Sequence, residues 1–209
     1  MTALETAFVV FDYAAVVVFA ATGALAAARR RDDIVTFAFF AAITGVGGGT
    51  LRDLLIDAPV VWIASPGYLI ACVVTAVAVW MIGGKGWRMG ALLWLDAVGM
   101  AAYAVVGAAK ALSLGVQPVP ATVMGVLTAC FGGVLRDVLA GEPSVLLRRE
   151  IYVTAALLAA TVYVLLASLG VDRLAASGAG FLAGFALRGA ALRWGWSLPA
   201  FGKGGAPSP

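Results

Sequence analysis

The sequence predicts an all-α integral membrane protein with seven transmembrane helices, built as two inverted three-helix repeats followed by a seventh helix. Three observations carry this prediction. The 209 residues are 63% hydrophobic and 12% charged, with a mean hydropathy of +1.01, whereas a soluble domain carries about 25% charged residues. Seven apolar runs follow one another with short breaks. A shift of the chain by 84 residues brings the first three runs onto the next three.

Each apolar run is bounded by Gly, Pro or charged residues, and each has the length of a membrane-spanning helix, about 20 residues. The first run predicts a retained helix and not a cleaved signal peptide, because Asp12 interrupts its apolar centre and three arginines follow it. The predicted spans are residues 6–28, 34–56, 66–82, 89–109, 119–140, 150–169 and 174–193.

The distribution of Lys and Arg predicts the orientation. Ten cations fall on one side of the membrane and two, Lys110 and Arg173, on the other. The positive-inside rule then places the N-terminus outside a bacterial inner membrane and the C-terminus in the cytoplasm. No basic stripe indicates a nucleic-acid partner. Some cytoplasmic cations either bind anionic lipid headgroups or serve as topology signals: Arg29, Arg30, Arg31, Arg148 and Arg149.

The repeat predicts how the chain is divided. The 84-residue shift aligns Asp12 with Asp96, Gly48-Gly49 with Gly132-Gly133, and Leu51-Arg52-Asp53 with Leu135-Arg136-Asp137. Each copy has three spans, so the second copy enters the membrane from the opposite side. Inverted repeats are typical of transporters and some channels, with the permeation site at the repeat interface. The predicted units are residues 1–84 and 85–169, a seventh helix at 170–193 and a flexible tail at 194–209.

Spans two and five each contain a glycine run beside an Arg-Asp pair. Glycine in a helix interior costs about 1 kcal/mol relative to Ala and leaves the backbone free to kink or unwind. A duplicated run beside charged residues favours an opened permeation element over simple close packing of helices. The candidate pore and gating residues are Thr44, Gly47, Gly48, Gly49, Thr128, Phe131, Gly132 and Gly133.

Charged residues within spans are costly and are functional candidates by default. Adjacent helix residues point about 100° apart, so we expect Arg52 not to pair with Asp53. We expect either cross-repeat pairs, Arg52 with Asp137 and Arg136 with Asp53, or a pore-lining role.

Three further charged residues are candidates for the pathway. Asp12 and Asp96 are equivalent in the two repeats, and each could attract cations or lock helices together. Lys110 replaces Ala26 of the first repeat. It either extends to the lipid headgroups or acts as a gate or counter-charge at a pore mouth.

The sequence has no histidine, which excludes His-dependent triads, His metal sites and imidazole relays. An intramembrane enzyme would need a carboxylate dyad or a Ser-Lys pair, and the duplicated aspartates suit a pathway better than a cleft. We expect no resident cofactor or metal. Cys72 and Cys130 lie in apolar runs and are predicted to pack in the core.

The motifs GGGTLRDLL and FGGVLRDVLAGEPSVLLRREIY, on two three-span repeats with a seventh helix, resemble prokaryotic trimeric intracellular cation (TRIC) channels over residues 5–193. The resemblance implies a homotrimer with one pore per protomer, framed by spans one, two, four and five and passing monovalent cations, chiefly potassium. It implies kinks at Gly47–Gly49 and at Gly132 and Gly133, the second less open because Phe131 stands where the first repeat has Gly47. Some bacterial relatives are described as glycine transporters, so a secondary transporter of a small amino acid such as glycine is the alternative.

Overall fold

The computed structural model describes residues 3–82, 89–144 and 151–199, and these residues fold into eight helices. The helices are α1 (Ala3–Arg30), α2 (Ile34–Leu55), α3 (Val61–Ala64), α4 (Gly67–Ile82), α5 (Met89–Ser113), α6 (Pro118–Ala140), α7 (Val153–Ser168) and α8 (Arg173–Trp194). Seven of the eight are long, and α3 is a single turn. The predicted all-α class is confirmed.

Five helices, α1, α2, α5, α6 and α8, are long and apolar enough to cross a membrane. The other two long helices, α4 and α7, are apolar but have 16 residues each. At about 1.5 Å per residue they reach about 24 Å, less than the roughly 30 Å of a hydrocarbon core. The fold is therefore a multi-pass membrane bundle, while the crossing of all seven segments stays a prediction.

Local signals in the sequence set the ends of the two central helices. Asp33 precedes α2, and its Oδ1 accepts a hydrogen bond of 2.9 Å from the backbone N–H of Thr36. This bond lowers the pKa of the Asp33 carboxyl below its ordinary value. Helix α6 begins with proline, which needs no N–H partner there. It ends at Gly141, whose φ of 69° is left-handed and favours glycine.

The helices pack as two similar groups of three. In the first group α1, α2 and α4 contact one another, and in the second α5, α6 and α7 do the same. The groups meet where α1 contacts α5 and α2 contacts α6, while α8 packs on α5 and α7. The predicted division of the chain into residues 1–84, 85–169 and 170–193 stays a prediction.

The core between the helices consists mainly of alanine with a few aromatic rings. Phe19 of α1 stacks on Tyr103 of α5 with ring centroids 5.1 Å apart. Cys72 and Cys130 are buried and form no disulfide, which confirms their predicted role in the core. In the predicted tail, the exposed Trp194 and Trp196 stack at 5.4 Å, and residues 200–209 lie outside the described residues.

Candidate functional site

The glycine runs lie where α2 crosses α6. A Cβ atom on Gly48 would collide with the backbone carbonyl oxygen of Thr128, and one on Gly132 would collide with that of Thr44. The four residues are equivalent in pairs under the 84-residue shift, so the contact is reciprocal. Only glycine permits so close an approach of two backbones.

Both helices are α-helical without interruption through these glycines. The unwound segment that the glycine runs were expected to provide is absent from α2 and α6. Close packing, the alternative that the sequence disfavoured, accounts for Gly48 and Gly132, since contact between the helices compensates for the poor helix propensity of glycine. A bend at these positions stays a prediction.

The other pore candidates lie around this crossing. Gly47 faces Leu135, whose Cδ1 is 2.8 Å from the position of an added Cβ, and Gly49 and Gly133 face the guanidinium groups of Arg52 and Arg136 at 3.6 Å. Phe131 is partly buried.

Thr44 and Thr128 are fully buried against neighbouring helices. Their hydroxyl oxygens lie 2.6 Å and 2.5 Å from the Cβ positions of Gly23 and Gly107. The Thr128 hydroxyl donates to the Met124 carbonyl at 2.6 Å, and the Thr44 hydroxyl has no hydrogen-bond partner among the described residues. The two threonines therefore pack against neighbouring helices, and their role at the pore stays a prediction.

In the first repeat, Asp53 at the end of α2 is the centre of a charged cluster. Its Oδ1 accepts from Arg52 Nε and NH2, each at 2.8 Å, and from Lys110 Nζ of α5 at 2.8 Å. Its Oδ2 accepts from the backbone N–H of Val61 at 3.1 Å, where α3 begins. Asp53 is completely buried and Arg52 is 2% exposed, so the carboxylate joins α2, α3 and α5.

In the second repeat, Arg136 of α6 takes the central place. Its Nε and NH2 contact Asp137 Oδ1 at 2.9 Å. Its NH1 donates to Asp96 Oδ1 of α5 at 2.6 Å and to the hydroxyl of Thr22 on α1 at 3.0 Å. Arg136 is 3% exposed, so it joins three helices from both repeats.

The expected pairing of these charges was wrong. Arg52 binds Asp53 and Arg136 binds Asp137, each its own neighbour, because the long arginine side chain folds back across the 100° between adjacent positions. The expected pairs Arg52–Asp137 and Arg136–Asp53 do not form. The repeats are linked instead by Lys110–Asp53 and by Arg136–Thr22. The Lys110 ammonium is thus a counter-charge to Asp53, and a role of Lys110 at a pore mouth stays a prediction.

The equivalent aspartates of α1 and α5 have different surroundings. Asp96 is 3% exposed and forms an ion pair with Arg136. Asp12 is only partly buried, and its Oδ2 accepts from the Tyr68 hydroxyl at 2.8 Å. Within the described part of the chain, Asp12 has no ion pair within 4.0 Å.

Three residues at the site were not predicted to act there. Tyr68 matches Tyr152 under the 84-residue shift, and this match was the available signal. Tyr103 of α5 donates its hydroxyl to the Gly45 carbonyl at 2.7 Å. Arg188 was counted with the cytoplasmic cations, yet it is 2% exposed, and its guanidinium lies 5.3 Å from the centre of the Tyr152 ring.

The predicted lipid-binding arginines of the first cluster mostly contact protein. Arg29 pairs with Glu142 at 2.9 Å, while Arg30 pairs with Asp32 at 3.0 Å and donates to the Ala140 carbonyl at 2.6 Å. Arg31 is exposed and lines a cavity of about 260 Å³ with Phe37 and Trp80, among others. Arg148 and Arg149 lie outside the described residues. In the described ranges no group of three His, Cys, Asp or Glu residues could hold a metal ion.

Comparison with known proteins identifies relatives along nearly the whole chain. A sequence model of the family described as "Glycine transporter" matches residues 9–83 and 93–168. A UPF0126 membrane protein of Vibrio cholerae is 34% identical over 96% of this chain and 85% of its own. The UPF0126 inner membrane protein YadS of Escherichia coli is 36% identical over 91% of this chain and 94% of its own.

Solved structures agree with these sequence relatives. The TRIC trimeric intracellular cation channel orthologue from Rhodobacter sphaeroides is 49% identical and superposes with a TM-score of 0.88 over 91% of this chain and all of its own. A second structure, described as a TRIC cation channel, is 30% identical, with a TM-score of 0.82 over 94% of this chain and 98% of its own. These matches extend over both repeats and the charged clusters between them. The chain therefore belongs to the family that includes the UPF0126 membrane proteins and the TRIC channels, as its paired Gly-Arg-Asp motifs predicted.

Proposed function

We propose that this protein is a channel for monovalent cations, mainly potassium, in the bacterial inner membrane. The observation that carries the proposal is the 49% identity and TM-score of 0.88 to a structure described as a cation channel. The E. coli relative is described as an inner membrane protein, and five helices of this chain can cross a bilayer. The same comparisons argue against an enzyme, because the solved relatives are described as channels.

The proposed pathway runs inside each protomer, where α1 and α2 meet α5 and α6. These helices bring together four carboxylates and three cations near the repeat interface: Asp12, Asp53, Asp96, Asp137, Arg52, Lys110 and Arg136. Acidic groups along a pathway favour cations, and partial neutralisation keeps their binding weak enough for release. Potassium or sodium ions are the proposed permeant species.

Assembly and orientation are part of the proposal. The R. sphaeroides relative is described as trimeric, which supports a homotrimer here. The excess of Lys and Arg on one side supports an external N-terminus and a cytoplasmic C-terminus. Membrane lipids are the expected surrounding partners, and Arg29, Arg30 and Arg31 are all exposed.

A second candidate function is a carrier for a small amino acid such as glycine. The family model carries the description "Glycine transporter", and the buried NH1 of Arg52 has no hydrogen-bond partner among the described residues. Arg52 and Lys110 lie on α2 and α5, and both of these helices pack against α1, which carries Asp12. A zwitterion could therefore place its carboxylate at Arg52 and its ammonium at Asp12.

Planar-bilayer recording of the purified protein in asymmetric potassium chloride separates the two functions. A channel gives discrete current steps that reverse near the potassium equilibrium potential, with or without glycine. A carrier gives a silent bilayer, together with saturable glycine uptake and counterflow in vesicles made from the same preparation. The second result would reject the channel.

A further inference from the structure

The two repeats differ in the burial and the partners of one equivalent pair of carboxylates. Asp96 of α5 is buried and neutralised by Arg136, whose NH1 lies 2.6 Å away. Asp12 of α1 occupies the matching position but is partly accessible and bonded only to the hydroxyl of Tyr68 among the contacts observed. The internal symmetry of the sequence is therefore broken at the level of side-chain partners.

The equivalent arginines of the two repeats also differ in their side-chain partners. Arg52, the equivalent of Arg136, uses Nε and NH2 to bind Asp53. Its NH1, which in Arg136 binds the aspartate, is buried without a hydrogen-bond partner in the described residues. Arg52 lies on α2, which packs against α1 where Asp12 lies, but it forms no ion pair with Asp12.

A difference in sequence between the repeats accompanies these different side-chain partners. Lys110 stands where the first repeat has Ala26, and its ammonium binds Asp53 at 2.8 Å. Asp53 thus has two cationic partners, while Asp12 has a tyrosine hydroxyl. Lys110 of the second repeat therefore binds Asp53, and Asp12 has no cationic partner within 4.0 Å among the described residues.

We propose that Asp12 is a cation-binding carboxylate of the conduction pathway, whereas Asp96 is a structural residue that anchors Arg136. The proposal rests on the channel function proposed above. A carboxylate in a low-dielectric site is stabilised by a nearby cation, and a partly dehydrated permeant ion can supply that charge at Asp12. Arg52 and Lys110 nearby keep the ion from binding too tightly to leave.

The test compares Asp12→Asn with Asp96→Asn in the full-length protein, recorded in planar bilayers at several potassium chloride concentrations. Asparagine still accepts a hydrogen bond from Tyr68, so Asp12→Asn removes the charge and keeps the contact. A fixed negative charge concentrates cations most strongly at low salt. We expect Asp12→Asn to lower unitary potassium conductance severalfold at about 0.05 M salt and much less at about 1 M, where charges are screened.

The matched variant has a different expected result. Asp96→Asn deprives buried Arg136 of one anionic partner, so we expect it to lower the thermal midpoint of the purified protein more than Asp12→Asn does. Equal conductance of Asp12→Asn and wild type at every salt concentration would overturn the inference and leave the channel function standing. The same salt-dependent deficit in Asp96→Asn would also overturn it. A wild-type protein that is silent in bilayers would reject both the inference and the channel.

A second variant keeps the test decisive if Asp12→Asn does not fold. Asp12→Cys can be modified within the open channel by methanethiosulfonate reagents of opposite charge. We expect the negatively charged reagent to give a higher potassium conductance than the positively charged reagent, because it restores the anionic site. Equal conductance after both modifications contradicts a cation-binding role for this position.

Discussion

At the scale of single residues, Gly48 and Gly132 occupy positions where the structure leaves no room for a side chain. Each lies against a backbone carbonyl of the facing helix, and a backbone carbonyl cannot move without separating α2 from α6. We expect Gly48→Ala to destabilise the protein by about 1–3 kcal/mol, the usual effect of forcing extra volume into a packed interface. The measurement is the thermal midpoint of the detergent-solubilised protein followed by size-exclusion chromatography.

Gly49 provides the control within the same glycine run. A Cβ atom there would lie 3.6 Å from the Arg52 guanidinium, an ordinary contact. We expect Gly49→Ala to match or exceed the wild-type midpoint, since alanine is the better helix former. If both variants lost stability equally, close contact at Gly48 would not be the reason for its glycine.

The buried ion clusters predict unequal effects for two cations. Arg136 binds Asp96, Asp137 and Thr22, and its removal leaves two carboxylates without that partner. We expect Arg136→Met to cost about 3–5 kcal/mol, as is typical when one member of a buried pair is removed. Lys110→Met should cost clearly less, because Asp53 keeps Arg52.

Thermal unfolding of both purified variants against wild type tests this order. A larger loss from Lys110→Met would mean that the link between α5 and α2 is the main electrostatic contact. Equal losses of stability in the two variants would show that the two ion clusters contribute equally to stability, although the two cations have different numbers of partners.

The sequence predicted which charged residues meet but not how they pair. Duplication alone placed Arg52, Asp53, Arg136 and Asp137 in one region, and the structure brings them to the interface of the repeats. The pairing depends on side-chain rotamers and on the reach of arginine, which spacing along the chain does not determine. Arg188 was missed for a related reason. The sequence alone cannot distinguish an exposed cation near a helix end, which acts as a topology signal, from one that is buried against a neighbouring helix.

At the scale of elements, the small residues of α8 predict how the last helix is held. Gly184 lies against α7, where its Cβ position is 2.6 Å from the Ala159 Cβ and 3.0 Å from the Ala155 carbonyl. Gly180 and Gly184 have the four-residue spacing that is typical of close helix packing, and both lie against Ala159 of α7. We expect Gly184→Leu to detach α8 from α7 and to lower the yield of folded protein severalfold.

Gly178→Leu serves as the matched variant, because no atom outside its own helix lies within 4 Å of its Cβ position. It adds the same side chain to the same helix without a steric conflict in the protomer. We expect it to keep the wild-type yield, measured by fluorescence-detected size-exclusion chromatography. A loss equal to that of Gly184→Leu would place the sensitive face of α8 between protomers.

The elements themselves were predicted well, with informative exceptions. Apolar runs located all seven long helices, but α1 and α5 extend beyond their predicted ends to Arg30 and Ser113. The single turn of α3 was not predicted, because it is held by a tertiary contact, the bond from the Val61 N–H to Asp53. Hydropathy measures composition along the chain and does not register such contacts.

At the scale of the whole molecule, the inverted repeat does not determine the orientation in the membrane, which therefore depends on the charges of the loops. Two halves of opposite topology fit a bilayer equally well either way up, so the excess of Lys and Arg on one side decides the outcome. Three consecutive arginines, Arg29 to Arg31, lie at the end of α1, and two of them also bind Asp32 and Glu142. Arg29 and Arg30 also contact the second repeat, at Glu142 and at the Ala140 carbonyl.

Changing these three arginines to glutamine should weaken the orientation of the molecule. We expect a C-terminal green fluorescent protein fusion of the wild type to fluoresce, and a C-terminal alkaline phosphatase fusion to be inactive, because the proposed orientation places the C-terminus in the cytoplasm. The triple variant should lose fluorescence and gain phosphatase activity in part, as a fraction of molecules inserts the opposite way. Changing only Glu142→Gln removes the ion pair of Arg29 but keeps all three positive charges, so it should leave the fusion signals at wild-type levels. Active phosphatase on the wild-type C-terminus would reverse the orientation and make the ten-cation side external.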